Sequence, residues 1–399
     1  KYIGVFGKRN AGKSSLINVI TGQDIAIVSD IPGTTTDPVK KRMEIFGIGP
    51  VVIVDTAGID DSGKLGVQRV SKTKEVVAQI DIALLIFTNN TIDGYELELL
   101  TLFKSEGIPT ILIHNQSDII PLDPDLALEI TQKMGIDVIE FSCNEFDESR
   151  LKDSITLLVS LMIKSLVDSP YAPKTVFDGI IDKGDNVLLV CPIDSEAPEG
   201  RLILPQVNAI RDILDKGAIA TVVQPENLAS MAGADGFKKY KLVVTDSQAF
   251  DQVSEIIPID INLTGFSILL ARSKGYFDYY LQGTRAIENL KEGSKILILE
   301  SCTHHTSCDD IGRVKIPKLL KMETGISIFE FTFVSGLDPL PKNLNEFSLA
   351  IQCGGCMVTN RQLSSRIKRL ISEKIPVSNY GMTLAYCMGI FERSVSLFK

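Results

Sequence analysis

Gly7-Lys8-Arg9-Asn10-Ala11-Gly12-Lys13-Ser14 is a complete glycine-rich phosphate loop, and the residues on either side give it its context. Lys1-Tyr2-Ile3-Gly4-Val5-Phe6 reads as an apolar strand, and Ser15-Leu16-Ile17-Asn18-Val19-Ile20 reads as a helix. Strand, loop and helix in that order gather backbone N–H groups and a helix N-terminus around one anion. In that frame Lys13 reaches the β- and γ-phosphates and Ser14 ligates Mg²⁺, while Asn10, Ala11, Gly12 and Ser15 complete the cradle. A glycine-rich turn can also simply join a strand to a helix, but both flanking elements favour a nucleotide.

Three further motifs make that nucleotide GTP. Asp55-Thr56-Ala57-Gly58 follows the apolar run Val51-Val52-Ile53-Val54. There a carboxylate at Asp55 holds the Mg²⁺ shell and the Gly58 N–H senses the γ-phosphate. Asn115-Gln116-Ser117-Asp118 follows Thr110-Ile111-Leu112-Ile113. A carboxylate at Asp118 accepts two hydrogen bonds from the N1 and N2 edge of guanine, which adenine cannot supply. Ser142-Cys143-Asn144 follows Val138-Ile139-Glu140-Phe141, where a backbone N–H suits guanine O6. Each short motif alone reads equally as a turn or cap. All of them in this order, each after a strand, point to a guanine nucleotide.

The motifs resemble the translation-factor-like GTPases, in particular the branch of the tRNA-modifying GTPase MnmE and the ribosome-assembly GTPases Era and Der. The resemblance implies a potassium ion held near Asn10. Gly33-Thr34-Thr35-Thr36-Asp37 matches the branch's first switch motif with Thr36 in place of arginine, which implies that Thr35 ligates Mg²⁺. Lys13, Thr35 and Gly58 are then the residues expected to act on the γ-phosphate. Ile59 stands where many GTPases carry a water-orienting glutamine, so a cation is expected to substitute for an arginine finger. Gln116 replaces the usual lysine of the guanine motif, which is expected to lower affinity while Asp118 keeps selectivity.

The 399 residues suggest two or three domains. A net charge of −9 argues against a general nucleic-acid binder. No apolar run reaches membrane-spanning length and no secretory signal is present, so a cytoplasmic protein is expected. The first residue lies inside a strand and is not methionine, so a short native N-terminus is expected to precede it. Seven cysteines beside a nucleotide site suit a reducing compartment.

An α/β organisation in three parts follows: a P-loop GTPase domain over 1–167, a smaller α/β domain over 175–259 and a third over 260–399. Two prolines, Pro170 and Pro173, bar the helix Arg150–Leu166 from continuing. The middle part alternates strands at 186–190, 218–223 and 241–245 with helices at 205–216, 225–231 and 248–257, which implies a small parallel sheet. It carries no phosphate loop and reads as a scaffold or dimerisation module.

The third part carries a cysteine pattern. Cys302-Thr303-His304 follows the strand 295–300, and Cys353-Gly354-Gly355-Cys356 follows the strand 347–351. Both fall at carboxyl ends of strands, where sites in open α/β sheets collect. Three soft thiolates suit an iron–sulfur cluster or zinc. A redox pair at Cys353–Cys356 and plain structural cysteines are the alternatives. Cys143, Cys191 and Cys387 sit in apolar contexts and read as small core residues, and Cys308 as a bystander.

The whole chain resembles the HydF family of FeFe-hydrogenase maturation GTPases. Cys302-x-His304 and Cys353-x-x-Cys356 match that family's cluster motif, with Gln352 where the family has a second histidine. Gly200-Arg201-Leu202-Ile203-Leu204-Pro205-Gln206 and Ser378-Asn379-Tyr380-Gly381-Met382 also look familiar. The resemblance implies a homodimer with a 4Fe–4S cluster on Cys302, Cys353 and Cys356. It implies a scaffold role toward a diiron precursor, with the radical-SAM maturases HydE and HydG and the apo-hydrogenase as partners. Glutamine is a poor iron ligand, so one iron is expected to keep an exchangeable position. His304 is the nearest fourth-ligand candidate, with Glu300, Asp309 and Asp310 as oxygen alternatives. Rival classes are a ribosome- or tRNA-linked GTPase and a GTP-regulated iron–sulfur redox protein.

Overall fold

The run Tyr2–Gly7 forms β1 at the centre of a seven-stranded sheet, because its alternate side chains find apolar cover on both faces. The structure is a computed structural model. It describes residues 1–22, 27–31, 39–56, 73–169, 171, 174–193, 200, 202–231, 236–301, 310–356 and 358–398. The chain forms two compact units, Lys1–Ala172 and Pro173–Lys399.

In the first unit β2 (Ile27–Ile31), β3 (Val39–Ile45), β4 (Gly49–Asp55), β5 (Ile82–Phe87), β6 (Thr110–His114) and β7 (Asp137–Glu140) join β1. Their order is β2-β3-β4-β1-β5-β6-β7. The β2–β3–β4 edge is antiparallel and every other pair is parallel. Strand alternation splits the core into two layers. Val5, Ile53, Leu84 and Ile113 pack on one face against Leu16, Ile17 and Ile20 of the helix Lys13–Thr21 and Leu158 and Met162 of the helix Glu148–Val167. Phe6, Val54, Leu85 and Leu112 pack on the other against Leu99, Leu100 and Phe103 of the helix Gly94–Ser105. Asp93 and Glu96 close a capping box at the start of that last helix.

The second unit holds two four-stranded parallel sheets. The first runs β11-β10-β8-β9, made of β8 (Asn186–Val190), β9 (Ile219–Val223), β10 (Leu242–Thr245) and β11 (Leu263–Gly265). The strand β11 lies beyond residue 259, where the sequence reading ends the middle part. Its three residues are too few to show a period of two. The expected helices at 225–231 and 248–257 each open as a 3₁₀ turn, Pro225–Asn227 and Ser247–Ala249, before becoming α-helical. The second sheet runs β13-β12-β14-β15, made of β12 (Lys295–Leu299), β13 (Glu330–Val334), β14 (Phe347–Gln352) and β15 (Val377–Asn379). β12 and β14 are its two central strands and are buried along nearly their whole length.

β15 is clamped from one side. A Cβ on Gly283, in the helix Phe277–Arg285, would lie 2.1 Å from the carbonyl oxygen of Val377. Only glycine permits that approach of helix to strand. It holds β15 against β14, whose C-terminal end leads directly into Cys353.

Candidate functional site

The phosphate loop leaves β1 at Gly7 and enters the helix Lys13–Thr21 through Gly12 in a left-handed conformation (φ 95°). The helix start has no side-chain cap, so its first N–H groups are available to an anion. Lys13 Nζ donates to the carbonyls of Gly7 (2.5 Å) and Lys8 (2.8 Å), which holds the ammonium against the loop. Lys8 itself forms ion pairs with Asp93 and Glu96, tying the loop to the capping box of the helix Gly94–Ser105.

A cavity of about 500 Å³ opens here. Asn10, Gly12, Lys13, Ser14, Ser15, Asn115, Asp118 and Cys143 line it, with Arg9, Gln116 and Asn144 beside them. Residues from three motifs far apart in sequence thus meet at one opening. Ala11 is buried behind it, and its carbonyl accepts a 2.8 Å hydrogen bond from Asn115 Nδ2. Asn115 Oδ1 accepts from Cys143 N–H at 3.3 Å, so one side chain joins the phosphate loop to the Ser142–Asn144 turn. A Cβ on Gly12 would lie 2.1 Å from Asn115 Nδ2 and break that junction. Ser142 Oγ donates to Asp118 Oδ1 at 2.7 Å and orients the carboxylate. Asp55 ends β4 beside Val5 of β1, and Thr56 Oγ1 pins the strand exit by donating to the Val5 carbonyl at 2.6 Å. Thr35, Thr36, Gly58 and Ile59 lie outside the described residues.

Sequence reasoning did not identify the contact from Gln116 Nε2 to the Asn10 carbonyl at 3.2 Å. It marked Gln116 only as a departure from lysine. It also passed over His114, which is fully buried behind Asn115.

In the second unit β12 and β14 lie side by side and deliver two loops to one end of the sheet. Cys353 N–H donates to the Leu299 carbonyl at 2.9 Å, continuing the strand pairing, and Ser301 N–H donates to Cys353 Sγ at 3.1 Å. Gly355 takes φ 66° and turns the chain between the two thiols. Lys274 Nζ donates to the carbonyls of Gly355 and Val358, so an ammonium sits against the turn. Burial lowers its pKa to about 8, against the opposing pull of Cys356 and Cys353. The Cys353 and Cys356 side chains are both half-buried. Cys302, His304, His305, Cys308 and Asp309 lie outside the described residues, and no group of three metal-binding side chains occurs among the described ones. Two thiols on one glycine turn, with an N–H donor to one sulfur, fit half of a soft-metal ligand set.

Of the oxygen candidates for the fourth position, Glu300 is engaged through both carboxylate oxygens, Oε1 by Arg313 Nε (2.8 Å) and Oε2 by Arg313 Nη2 (2.9 Å) and Ser335 Oγ (2.8 Å). Asp310 Oδ1 accepts the Arg313 N–H at 2.8 Å. Gln352 is fully buried, and its Nε2 donates to the Leu299 carbonyl, Ser301 Oγ and the Cys353 carbonyl. Burial pushes the Cys143 thiol up to about 11 and those of Cys191 and Cys387 up to about 12, which keeps all three protonated at neutral pH.

This fold and its first cavity define a P-loop GTPase carrying two further parallel α/β sheets. A family model described as 50S ribosome-binding GTPase matches residues 2–116. The hydrogen maturase F dimerization domain matches 176–275, and the hydrogen maturase F tetramerization domain matches 278–397. The chain belongs to the hydrogen maturase F family. Its N-terminal part is similar to the tRNA modification GTPase MnmE of Endomicrobium trichonymphae, with 37% identity over 139 residues, 34% of this chain and 30% of that protein. GTPase Der of Wolinella succinogenes is 46% identical over 87 residues, 21% of this chain and 18% of that protein. The chain therefore spans under a third of the length of these curated relatives. Among solved structures, Era of Aquifex aeolicus bound to GDP and aluminium fluoride aligns over 41% of this chain and 56% of its own, at 26% identity and a TM-score of 0.33. No described helix is long and apolar enough to cross a membrane.

His114 gives the first unit a pH dependence. Its Nε2 accepts the Asn90 N–H at 3.3 Å and its ring packs on Phe87, so only the neutral form fits. Burial lowers its pKa below 6.5, with Glu140 opposing. The unfolded chain therefore takes up a proton near pH 6.5 that the folded chain refuses. Stability is full above that pH and is lost as pH falls below it, by at most ~1.4 kcal/mol per pH unit. The midpoint for loss of bound fluorescent GDP on heating should drop between pH 7.5 and 5.5. His114→Phe should shrink that drop, and an unchanged drop would exclude His114 as its source.

Proposed function

We propose that this chain is a GTP-hydrolysing scaffold for FeFe-hydrogenase maturation, which receives a diiron precursor of the H-cluster and passes it to apo-hydrogenase. The observation that carries this reading is the pair of hydrogen maturase F matches, over 176–275 and 278–397, in the unit that presents Cys353 and Cys356. Cys302, Cys353 and Cys356 would hold a 4Fe–4S cluster, whose bound form supplies one iron with an exchangeable position. His304 is the side chain nearest in sequence to fill it. HydE and HydG are the proposed maturase partners, and free thiols suit a cytoplasmic setting. The three-part division over 1–167, 175–259 and 260–399 stands as part of this proposal, with β11 (Leu263–Gly265) joining the sheet of the middle part.

At the nucleotide site Lys13 would share its ammonium between the Gly7 and Lys8 carbonyls and the β- and γ-phosphates. Ser14, Thr35 and Asp55 would hold Mg²⁺, and Gly58 would sense the γ-phosphate. Asp118 would read the guanine edge, oriented by Ser142. A potassium ion near Asn10 would assist hydrolysis. Lys13→Ala should abolish productive GTP binding, and Asp118→Ala should relax guanine preference. The unmodified protein should hydrolyse GTP faster in potassium than in sodium at matched ionic strength. Hydrolysis of ATP on a par with GTP would sink the role given to Asp118.

Cys302→Ala, Cys353→Ala and Cys356→Ala should each remove most reconstituted iron while GTP binding persists. Cys308→Ala should retain it. Iron and sulfide analysis after anaerobic reconstitution decides this, and full iron content in Cys302→Ala would disprove the ligand set.

The homodimer would form at β9. This strand is an edge of its sheet, and Ile219 and Val222 on it are exposed. Leu204, Val207 and Leu214 of the helix Leu204–Asp215 add exposed apolar surface nearby in the fold. An open apolar edge is a template for a second copy. Val222→Lys should reduce the mass seen by light scattering, and an unaltered mass would place the seam elsewhere.

A further inference from the structure

Asn10 and Gln116 both adopt left-handed backbone conformations, φ 66° and φ 63°. Such conformations cost free energy outside glycine and persist where surrounding contacts hold them. Here the contacts are visible. Asn115 Nδ2 donates to the Ala11 carbonyl at 2.8 Å and Gln116 Nε2 donates to the Asn10 carbonyl at 3.2 Å. Two successive side-chain amides therefore grip two successive carbonyls of the phosphate loop. Gln116 is itself held, because its own carbonyl accepts from Ile119 N–H (3.0 Å) and Ile120 N–H (3.1 Å). The grip fixes the peptide planes on either side of Ala11, and with them the direction in which Asn10 presents its side chain.

We infer that Gln116 is a positioning residue for the monovalent-cation response of hydrolysis, acting by holding the Asn10 backbone in its left-handed state. The inference rests on the potassium reading of Asn10 given above. It assigns Gln116 a task distinct from base binding. Without the amide donor, Asn10 relaxes toward the commoner right-handed or extended states and its side chain leaves the cation position. Hydrolysis then loses its preference for potassium even when the nucleotide site is full.

The test is GTP hydrolysis by the full chain at saturating GTP, in potassium and in sodium at matched ionic strength. It compares the unmodified protein with Gln116→Ala, Gln116→Glu and Gln116→Lys. Glutamate keeps the size of glutamine but cannot donate when ionised, whereas lysine donates to the same carbonyl. The potassium-to-sodium rate ratio should fall toward one in Gln116→Ala and Gln116→Glu, a loss of roughly fivefold if one ordinary hydrogen bond sets it. Gln116→Lys should keep the ratio. If Gln116→Ala and Gln116→Glu raise KM but retain the ratio, the inference is overturned and Gln116 serves the base alone. If the unmodified protein shows no preference for potassium, the reading of Asn10 fails first and this inference falls with it.

Discussion

Parallel strands all exit at the same end of a sheet, and that constraint arranges both candidate sites in this chain. In the first unit β1, β4 and β6 release the phosphate loop, Asp55 and Asn115 at the same end of the sheet. In the second unit β12 and β14 release Ser301 and Cys353 side by side. A loop leaving a parallel strand has backbone groups that the ladder no longer satisfies. Nearby side chains must take them up. Asn115 does this for Ala11 and Gln116 for Asn10, while Gln352 does it for Cys353. The amides that satisfy the loops also set their shapes.

What could be read from the sequence follows the same division. β5, buried throughout but followed by no nucleotide motif, was not named, whereas β1, β4, β6, β8, β12 and β14 were expected close to where they lie. The loops after them carry glycines and polar residues with defined chemistry, which is why Asn10, Lys13, Asn115 and Asp118 were expected at one site. β11 and β15 were not legible, since three residues each cannot display an alternating pattern. Contacts between distant loops were equally hidden. The pairing of Lys8 with Asp93 joins residues 85 apart, and that of Gln116 with Asn10 joins residues 106 apart. No local propensity encodes either.

The cysteine loops show how a buried charge can be spent on position. Glu300 immediately precedes Ser301 and Cys302 in sequence, and Arg313 lies just beyond Asp310. Their bidentate pair, with Ser335 as a third partner, joins the exit of β12 to the turn Ile311–Lys315. Arg366 adds to this by donating to the Glu300 and Gly336 carbonyls from the helix Asn360–Ser372. Removing Glu300 would leave the Arg313 guanidinium without its carboxylate partner. An oxygen so committed is a poor candidate for an exchangeable metal ligand, because leaving its partners costs more than a solvated carboxylate would lose.

Gln352 closes the argument about the second site. Its position is the last residue of β14, and its side chain is wholly inside the protein. Three donor contacts run from Nε2 toward the Leu299, Ser301 and Cys353 groups, and the Asn379 amide donates to its backbone carbonyl at 3.3 Å. The lone pairs of the amide lie on Oε1, which is buried and accepts no hydrogen bond among the described residues. The Nε2 bonds fix Ser301, whose N–H in turn reaches the Cys353 sulfur. Glutamine at this point thus builds a hydrogen-bonded frame around the Cys353 thiol, on a strand buried along nearly its whole length.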